Sequence, residues 1–565
     1  MWPDGLFARM AVSQAKGGHP VNNVDVPQGY WELELHENPQ AISPMAESFY
    51  LEALTAGARH VLAEFGMLVE TVEWRAIGGW VYLRTVPFEG DEQAVNERIG
   101  RAIEAVEGDL AGRYVQRWER EWRPWLLRRR AELRSVDVAG LDDGELDEHL
   151  GEVMAFLFAA TDIHLLLHGS NALMLGELAF ACRDLLKWSE RQAFDLVCGS
   201  SPASTEPSHR LAGLAEMIRQ RPAVRALLDD PSSAVPRLVD VDPEFAAAFD
   251  AYLVEFGDRA VRYEVVDPTI AECPELLLQL VRDQVDLKYD PATVAARVAA
   301  RQTEARAAAR AILAERHPEE RGRFERLVQR AERFYPVRED NEVWTQNVPL
   351  ALVRRALLEV GRRLAETGTV TTPEDVFLLR LPEARQALTA RSDLVELVTT
   401  RRAEWQWAIA HPGPATYGVP PPRPDFSVLP PPARLVHEAV VWVIDRILPA
   451  AAVGRRQSGS VVDGIPASAG RYSGPARIIR HESDLRRVQP GDVLVCPATS
   501  PAWSIVFPTI GALVTDTGGI LSHAAIIARE FAIPAVVSTG NATERCVDGQ
   551  TITVDGEAGR VETGS

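Results

Sequence analysis

The sequence predicts a multidomain α+β protein, in which a mostly α-helical body is followed by a smaller C-terminal domain of strands and one helix. Three observations carry this prediction. Residues 42–400 show apolar residues at helical spacing, residues 411–432 are too rich in proline for a regular element, and valine-rich segments alternate with turns after residue 462. With 565 residues, 46% of them hydrophobic, the chain can bury several cores. We predict a body at 1–450, a linker at 451–463 and a second domain at 464–565.

The body begins with an exception to its helical pattern. In residues 71–84, β-branched and aromatic residues surround Gly78-Gly79, and this pattern predicts a β-hairpin. Residues 296–310, rich in alanine and arginine, are typical of a long helix. We therefore expect a small sheet that covers one end of a helical body.

The end of the body is marked by the proline-rich segment 411–432, which we expect to run extended over a surface. A helix is predicted at residues 436–448. The sequence Gly-Arg-Arg-Gln-Ser-Gly-Ser at 454–460 then has the composition of a flexible connection, which a pivoting domain needs.

One histidine of the C-terminal domain lies where chemistry is expected. Residues 511–515 are predicted to form a short buried strand, Gly518 and Gly519 permit positive φ angles, and residues 524–529 favour helix. His523 then lies at an exposed helix start, where unpaired N–H groups and the helix dipole stabilise an anionic group. A neutral imidazole is also a nucleophile near neutral pH. The pattern predicts a phosphate carrier; the alternative is a helix-capping histidine without a chemical role.

The segment around His523 resembles the phosphohistidine signature of phosphoenolpyruvate (PEP)-utilising enzymes. The resemblance rests on Gly-Gly-x-x-x-His-Ala-Ala-Ile-Ile-Ala-Arg-Glu-x-x-Ile-Pro-Ala-Val-Val and extends over about the last hundred residues. It implies that 464–565 is a swivelling β/β/α phosphohistidine domain with His523 as the phosphorylated residue. Gly518, Gly519 and Ser522 would form the supporting phosphate loop. Many members carry Thr or Asn two residues before the histidine, where this chain has Leu521.

The body resembles, more weakly, the substrate-binding portion of rifampin phosphotransferases and the histidine-bearing subunit of phenylphosphate synthase. The similar segments are residues 36–44, 256–259, 335–341, 354–364 and 374–377.

This second resemblance implies candidate contacts to the substrate or the phosphoryl group at His36, Arg259, Arg338 and Asp340. The two guanidinium groups suit oxyanions, and His36 or Asp340 is a candidate base.

A structural alternative stands beside this interpretation. Arg338 could pair with Glu339, and Arg259 with Glu264, simply to tie helices together. The antibiotic kinases carry a lysine where this chain has Glu342, so phosphorylation of rifamycin itself is not expected.

The phosphate donor is expected to be a different protein. Full-length relatives use an ATP-grasp domain or a PEP-binding barrel, and we find neither a Gly-x-x-x-x-Gly-Lys-Ser/Thr loop nor another glycine-rich segment with a lysine for nucleotide phosphates. The resemblance thus implies a separate ATP-grasp partner, and we expect Mg²⁺ and ATP only through that partner.

His164 and His168 lie four residues apart and share one helix face. Such a pair can bind metal, but it is more often core-facing and hydrogen-bonded. A catalytic zinc site needs three protein ligands, and the sequence shows no third ligand nearby. We therefore predict no metal site.

These observations predict a phosphotransferase component in which phosphohistidine on a mobile domain carries a phosphoryl group to a small-molecule hydroxyl. One alternative is a phosphorylation-dependent dehydratase, a lyase in which His36 or Asp340 completes an elimination. Another is a catalytically silent lid or docking module.

Charge and composition exclude other classes of function. The net charge of −20 opposes binding to nucleic acid or to anionic membranes. The five scattered cysteines lack the spacing of a zinc site or a disulfide framework. We see no signal peptide and expect no apolar run long enough to span a bilayer. A cytoplasmic protein is predicted.

Overall fold

The computed structural model describes residues 25–35, 37–228, 231–260, 264–287, 289–390, 392–447, 460–480 and 482–563. Helices dominate as far as residue 447, and the C-terminal part is built on a sheet. The predicted α+β class is confirmed.

A four-stranded sheet covers one end of the body. Its strands are β1 (Trp31–Leu33), β2 (Val69–Ile77), β3 (Trp80–Pro87) and β4 (Thr416–Tyr417), in the order β2-β3-β1-β4. The predicted hairpin is confirmed, because β2 and β3 pair antiparallel. Gly78 and Gly79 connect them with φ angles of 61° and 85°, which glycine adopts without strain.

The proline-rich segment is more regular than expected. Strand β4, which lies within it, pairs with β1 at the edge of the sheet. The following helix begins at Pro431 and not at residue 436. Strand β4 itself contains no proline, and proline fits the helix start because the first helical turn needs no N–H partner.

The remaining body is helical. Its helices are α1 (Pro44–Glu47), α2 (Tyr50–Glu64), α3 (Glu92–Glu107), α4 (Leu110–Arg117), α5 (Arg123–Ser135), α6 (Asp143–Ala181), α7 (Glu190–Asp195), α8 (Pro202–Arg219), α9 (Pro222–Arg225), α10 (Pro231–Ala234), α11 (Leu238–Val241), α12 (Pro243–Phe256), α13 (Pro274–Leu287), α14 (Pro291–Arg316), α15 (Arg321–Glu342), α16 (Val348–Glu366), α17 (Leu381–Ala390), α18 (Val395–Ala410) and α19 (Pro431–Ile447).

Helix α6 lies in the core of the body, packed against α2, α15 and α16. Asp142 and Glu145 form a capping box at its start, each side chain accepting the backbone N–H of the other residue. Extended by a π-helical turn, it runs over Asp143–Leu186, and by length and composition alone it could cross a membrane. The expectation that no apolar run reaches this length was therefore wrong. Burial explains the composition, since 67% of its apolar window lies inside the protein.

Helix α15 presents a row of charged side chains to the interior. Pro336 lies inside it and leaves one helical hydrogen bond unmade, which favours a bend. The π-helical turn Val343–Asn347 then joins α15 to α16 and changes the direction in which the following side chains point. These irregularities occur beside the polar cluster described below.

The C-terminal domain contains an eight-stranded sheet. Its strands are β5 (Val461–Asp463), β6 (Ile465–Ser468), β7 (Arg471–Ile478), β8 (Val493–Cys496), β9 (Ala512–Thr515), β10 (Ala535–Val537), β11 (Thr551–Asp555) and β12 (Arg560–Thr563), in the order β5-β12-β11-β7-β8-β9-β10-β6. Strands β7 to β10 run parallel, and helix α20 (His523–Glu530) connects β9 to β10. Strands β8, β9 and β10 are entirely buried, as expected for parallel strands covered on both faces. Helix α21 (Ala542–Arg545) completes the domain.

The predicted domain boundaries stay a prediction, because residues 448–459 lie outside the described residues. The end of the predicted linker is part of the sheet, since Val461–Asp463 pairs with β12.

The C-terminal domain shares an apolar core with part of the body. Leu211 of α8 and Val281 of α13 belong to the same cluster of buried side chains as Ile505 and Phe531 of the domain. The described structure therefore has the domain docked on the helices around α8 and α13.

Candidate active site

The loop before α20 shows why two glycines precede the histidine. Gly518 has a φ angle of 95°, which side chains other than glycine rarely tolerate. A Cβ atom on Gly519 would lie 2.0 Å from the carbonyl oxygen of Arg446, so only glycine fits against the end of α19. Ser522 is the N-cap of α20 and accepts the N–H of Ala525 at 3.4 Å. His523 is thereby held as the first residue of the helix.

His523 binds a carboxylate of the body. Its Nδ1 lies 2.6 Å from Oε2 of Glu339, and His523 is only 6% exposed. An ionised carboxylate can only accept, so Nδ1 carries the proton and Nε2 has the free lone pair. Nε2 is buried and has no hydrogen-bond partner among the described residues. The expectation of an exposed helix start was wrong, because the docked body covers the histidine.

Arg338 connects the same loop to a second carboxylate. Its Nε donates to the carbonyl oxygen of Leu521 at 3.0 Å, and its Nη1 donates to Oε1 of Glu342 at 2.9 Å. Arg338 therefore pairs with Glu342, and not with Glu339 as in the structural alternative. Adjacent helical residues point about 100° apart, whereas residues i and i+4 share a face.

Arg259 is buried near the histidine's partner. Its Nη2 donates to the carbonyl oxygen of Ala203 at 3.4 Å, and its guanidinium lies over the ring of Phe256. Burial lowers the pKa of Arg259, and the negative charge of Glu339 acts in the opposite direction. Its Nε, like Oε1 of Glu339, is buried without a hydrogen-bond partner in the described part of the chain.

Two other sequence candidates have different outcomes. Asp340 forms an ion pair with Arg123 at 2.6 Å and accepts the indole N–H of Trp344 at 2.9 Å. The structure engages this carboxylate inside the body, and its contact with substrate stays a prediction. His36 lies outside the described residues, so its role stays a prediction.

The predicted histidine pair meets a third group that sequence reasoning missed. Nε2 of His168 lies 3.3 Å from Oε1 of Glu342, and the rings of His164 and His168 are 4.2 Å apart. Nδ1 of His164 contacts Oγ1 of Thr345 at 3.0 Å and Nδ2 of Asn341 at 3.1 Å. Burial lowers the pKa of His164 to about 3, so this imidazole is neutral.

Further carboxylates surround this cluster. Burial, followed by the negative charges of Glu342 and Glu34, raises the pKa of Glu37 well above its usual range. Glu34 itself accepts the N–H of Glu37 and the side-chain amide of Asn38. The region between α6, α15 and the first residues of the body is therefore rich in ionisable groups next to His523.

Sequence reasoning assigned no role in the site to three carboxylates, those of Glu339, Glu342 and Glu37. The i, i+4 spacing of Arg338 and Glu342 was a signal for their pairing. Nothing in the sequence indicates that Glu339 reaches His523, 184 residues away along the chain.

Chemically, the arrangement combines a nucleophile with groups that can bear charge. A tautomerically fixed imidazole presents a free Nε2, a carboxylate holds the opposite nitrogen, and two buried guanidinium groups lie nearby. Such a set can accept and release a phosphoryl group.

Comparisons with known protein families place both sides of this contact in recognised segments. Residues 488–559, which contain His523, match the family described as PEP-utilising enzyme, mobile domain. Residues 168–339, which contain Arg259 and Glu339, match the family described as rifampicin phosphotransferase fourth domain.

Curated relatives cover most of the chain. The uncharacterized phosphotransferase YvkC of Bacillus subtilis is 26% identical over 97% of this chain and 63% of its own length. A rifampicin phosphotransferase of Streptomyces sp is 29% identical over 74% of this chain and 48% of its own length. An uncharacterized protein of Mycobacterium tuberculosis is 32% identical over 64% of this chain and 36% of its own length. The chain spans less than two thirds of the length of these relatives.

Proposed function

Since the chain is a rifampicin phosphotransferase-like member of the PEP-utilising enzymes, we propose that His523 accepts a phosphoryl group on Nε2 and passes it to a hydroxyl group of a small molecule bound by the body. The observation that carries the proposal is the hydrogen bond from Nδ1 to Glu339, which leaves Nε2 buried and, within the described part of the chain, without a hydrogen-bond partner.

The transfer takes two steps. First, a bond forms between Nε2 and phosphorus while the bond from phosphorus to the donor oxygen breaks. Then the acceptor oxygen bonds to phosphorus, the phosphorus–nitrogen bond breaks, and its electron pair returns to Nε2. The proton of the hydroxyl group is released to water. Glu339 assists the second step, because its carboxylate keeps Nδ1 protonated and makes the imidazole a better leaving group.

Positive charge stabilises the phosphoryl group during both steps. The N-terminus of α20 offers backbone N–H groups and the positive end of the helix dipole, and the guanidinium groups of Arg259 and Arg338 are buried in the body beside it. Charge stabilisation of this kind is the main protein contribution to phosphoryl transfer.

The phosphate donor in this proposal is a separate ATP-grasp protein, and Mg²⁺ and ATP bind to that protein. The support is the lack of a phosphate-binding loop in the sequence. We further propose a cytoplasmic location. The five cysteines are unpaired, which fits a reducing compartment.

The test is the appearance of acid-labile phosphate on His523. The chain is incubated with labelled ATP, Mg²⁺ and an ATP-grasp protein from the same genomic neighbourhood, and the labelled residue is identified by mass spectrometry. Wild type is expected to be labelled, and His523→Gln to be unlabelled. Glutamine is chosen because alanine would leave the carboxylate of Glu339 buried without a partner. His60→Gln serves as the control, since His60 is half-exposed and pairs with Asp162.

Labelling of His523→Gln at the wild-type level would show that another residue carries the phosphate. Labelling of the wild-type chain by ATP alone would overturn the separate donor.

A further inference from the structure

Three side chains next to the proposed transfer site have the arrangement of a metal-binding site. His164, His168 and Glu342 each offer one ligand atom, and these atoms all lie within 4.8 Å of one another. The two histidines come from one face of α6, and the carboxylate comes from the end of α15. Two imidazoles and one carboxylate form a ligand set typical of catalytic zinc sites.

A second observation points to a cation-binding role at this place. Glu342 is 4% exposed, and its Oε1 is occupied by Arg338 and His168. Its Oε2 is buried and has no hydrogen-bond partner among the residues that the structure describes. A buried carboxylate oxygen left without a partner is costly, and a bound cation would satisfy it.

The protein already orients one of the ligands. The Thr345 hydroxyl donates to the carbonyl oxygen of Asn341 at 2.6 Å, so it accepts from the Nδ1–H of His164 at 3.0 Å; the side-chain amide nitrogen of Asn341 also lies 3.1 Å from Nδ1. With the proton on Nδ1, the lone pair of Nε2 is available for an ion. Metal-bound histidines usually have their second ring nitrogen held by such a partner. At His168, an ion would replace the proton that Nε2 shares with Glu342.

The ligand types favour a transition-metal ion. Arg338 opposes a cation, but it donates to Oε1 of Glu342, and Oε2 of that carboxylate has no hydrogen-bond partner among the described residues. Imidazole ligands select zinc and similar transition metals, whereas Mg²⁺ prefers oxygen ligands and retains its waters.

We propose that His164, His168 and Glu342 bind a divalent transition-metal ion of the Zn²⁺ class, whose open coordination position takes the hydroxyl oxygen of the acceptor. The second part rests on the proposed phosphoryl transfer; the binding of the ion does not. The site lies beside the phosphate carrier, because one guanidinium, that of Arg338, contacts both Glu342 and the loop that bears His523. The ion would hold the acceptor oxygen near the loop that bears His523.

The test is metal binding by the full chain, without a histidine tag and without phosphorylation. Metal-free protein is titrated with Co²⁺, whose visible absorption reports coordination by nitrogen ligands, and with Zn²⁺ in competition. We expect stoichiometric binding to wild type and a loss of affinity of about tenfold or more in His168→Gln and in Glu342→Gln. His149→Gln is the matched control, since His149 lies on the same helix outside the cluster.

Thermal unfolding of each variant separates lost binding from lost folding. His168 has a partly exposed side chain, so its variant remains informative if Glu342→Gln does not fold. The proposal is overturned if wild type does not bind Co²⁺ stoichiometrically, or if both variants bind as wild type does. Because the protein is unphosphorylated here, neither result depends on whether His523 carries phosphate.

Discussion

The contact between His523 and Glu339 makes a sharp prediction for the variant Glu339→Gln. Glutamine has nearly the same shape and retains one acceptor oxygen, so the apolar packing is preserved. It removes the negative charge that lies 2.6 Å from Nδ1. In the phosphorylated state the reactive form of the imidazole carries a proton on Nδ1, and the carboxylate stabilises that form. The variant should therefore release the phosphoryl group more slowly.

The size of the effect follows from the type of hydrogen bond. A hydrogen bond to a charged group contributes ~1.5–3 kcal/mol, and each ~1.4 kcal/mol changes a rate tenfold. Both partners are buried, His523 at 6% and Glu339 at 3% exposure, so solvent does not weaken the interaction. We expect the release of phosphate from His523 to slow about tenfold to hundredfold.

The assay follows a single turnover. The chain is phosphorylated with a small-molecule donor such as phosphoramidate, freed of the donor, and the loss of acid-labile phosphate is timed at neutral pH. Nitrogen-15 NMR of labelled histidine reports in parallel whether Nδ1 carries the proton. Glu332→Gln is the control, because Glu332 lies on the same helix, takes the same substitution and pairs with Arg306 instead. Equal release rates and an unchanged Nδ1 signal in Glu339→Gln would refute the assigned role of Glu339.

Two further predictions concern the docked state. Arg259→Gln should slow phosphate release by about tenfold, because the substitution removes a buried positive charge near Glu339. The same single-turnover assay measures this rate, and a wild-type rate would exclude Arg259 from the site. Burial raises the pKa of Glu530 to about 7, although its carboxylate accepts the N–H groups of Gly199 and Ser201. The folded, docked state thus binds more protons than the unfolded state between pH ~4.5 and ~7, and stability falls as pH rises through this window, by up to ~3 kcal/mol. Melting temperatures of wild type should fall relative to Glu530→Gln from pH 5 to pH 8, and parallel curves would contradict the assignment.

The local structure around the histidine was predictable from the sequence. A strand, two glycines and a helix that begins at His523 follow from short-range rules of backbone conformation and capping. The hairpin around Gly78-Gly79 was predictable for the same reason. Each of these features depends on residues that are close together in the chain.

The partners of the histidine could not be predicted in this way. Glu339 reaches His523 only because α15 and the C-terminal domain pack together, and that packing depends on the whole fold. The third member of the polar cluster, Glu342, is likewise brought to His164 and His168 by the packing of α15 on α6. The sequence analysis proposed Asp340 and not Glu339 for the site, and a one-residue step on a helix turns a side chain by about 100°.

The docked arrangement also constrains how a carrier could move. Rotation of the C-terminal domain alone, about the predicted linker 451–463, would separate Ile505 and Phe531 from the apolar side chains of α8 and α13. It would also break the contacts of Glu530 to the backbone of residues 199 and 201. A rotation that carries α8 and α13 along with the domain keeps that core intact, but it breaks the hydrogen bonds of His523 and Leu521 with α15. It also separates Ile520, Leu521 and Ile526 from the buried apolar side chains of α6 and α15. Because exposing buried apolar surface costs about 25 cal/mol per Å², either movement needs a compensating interaction in the rotated state.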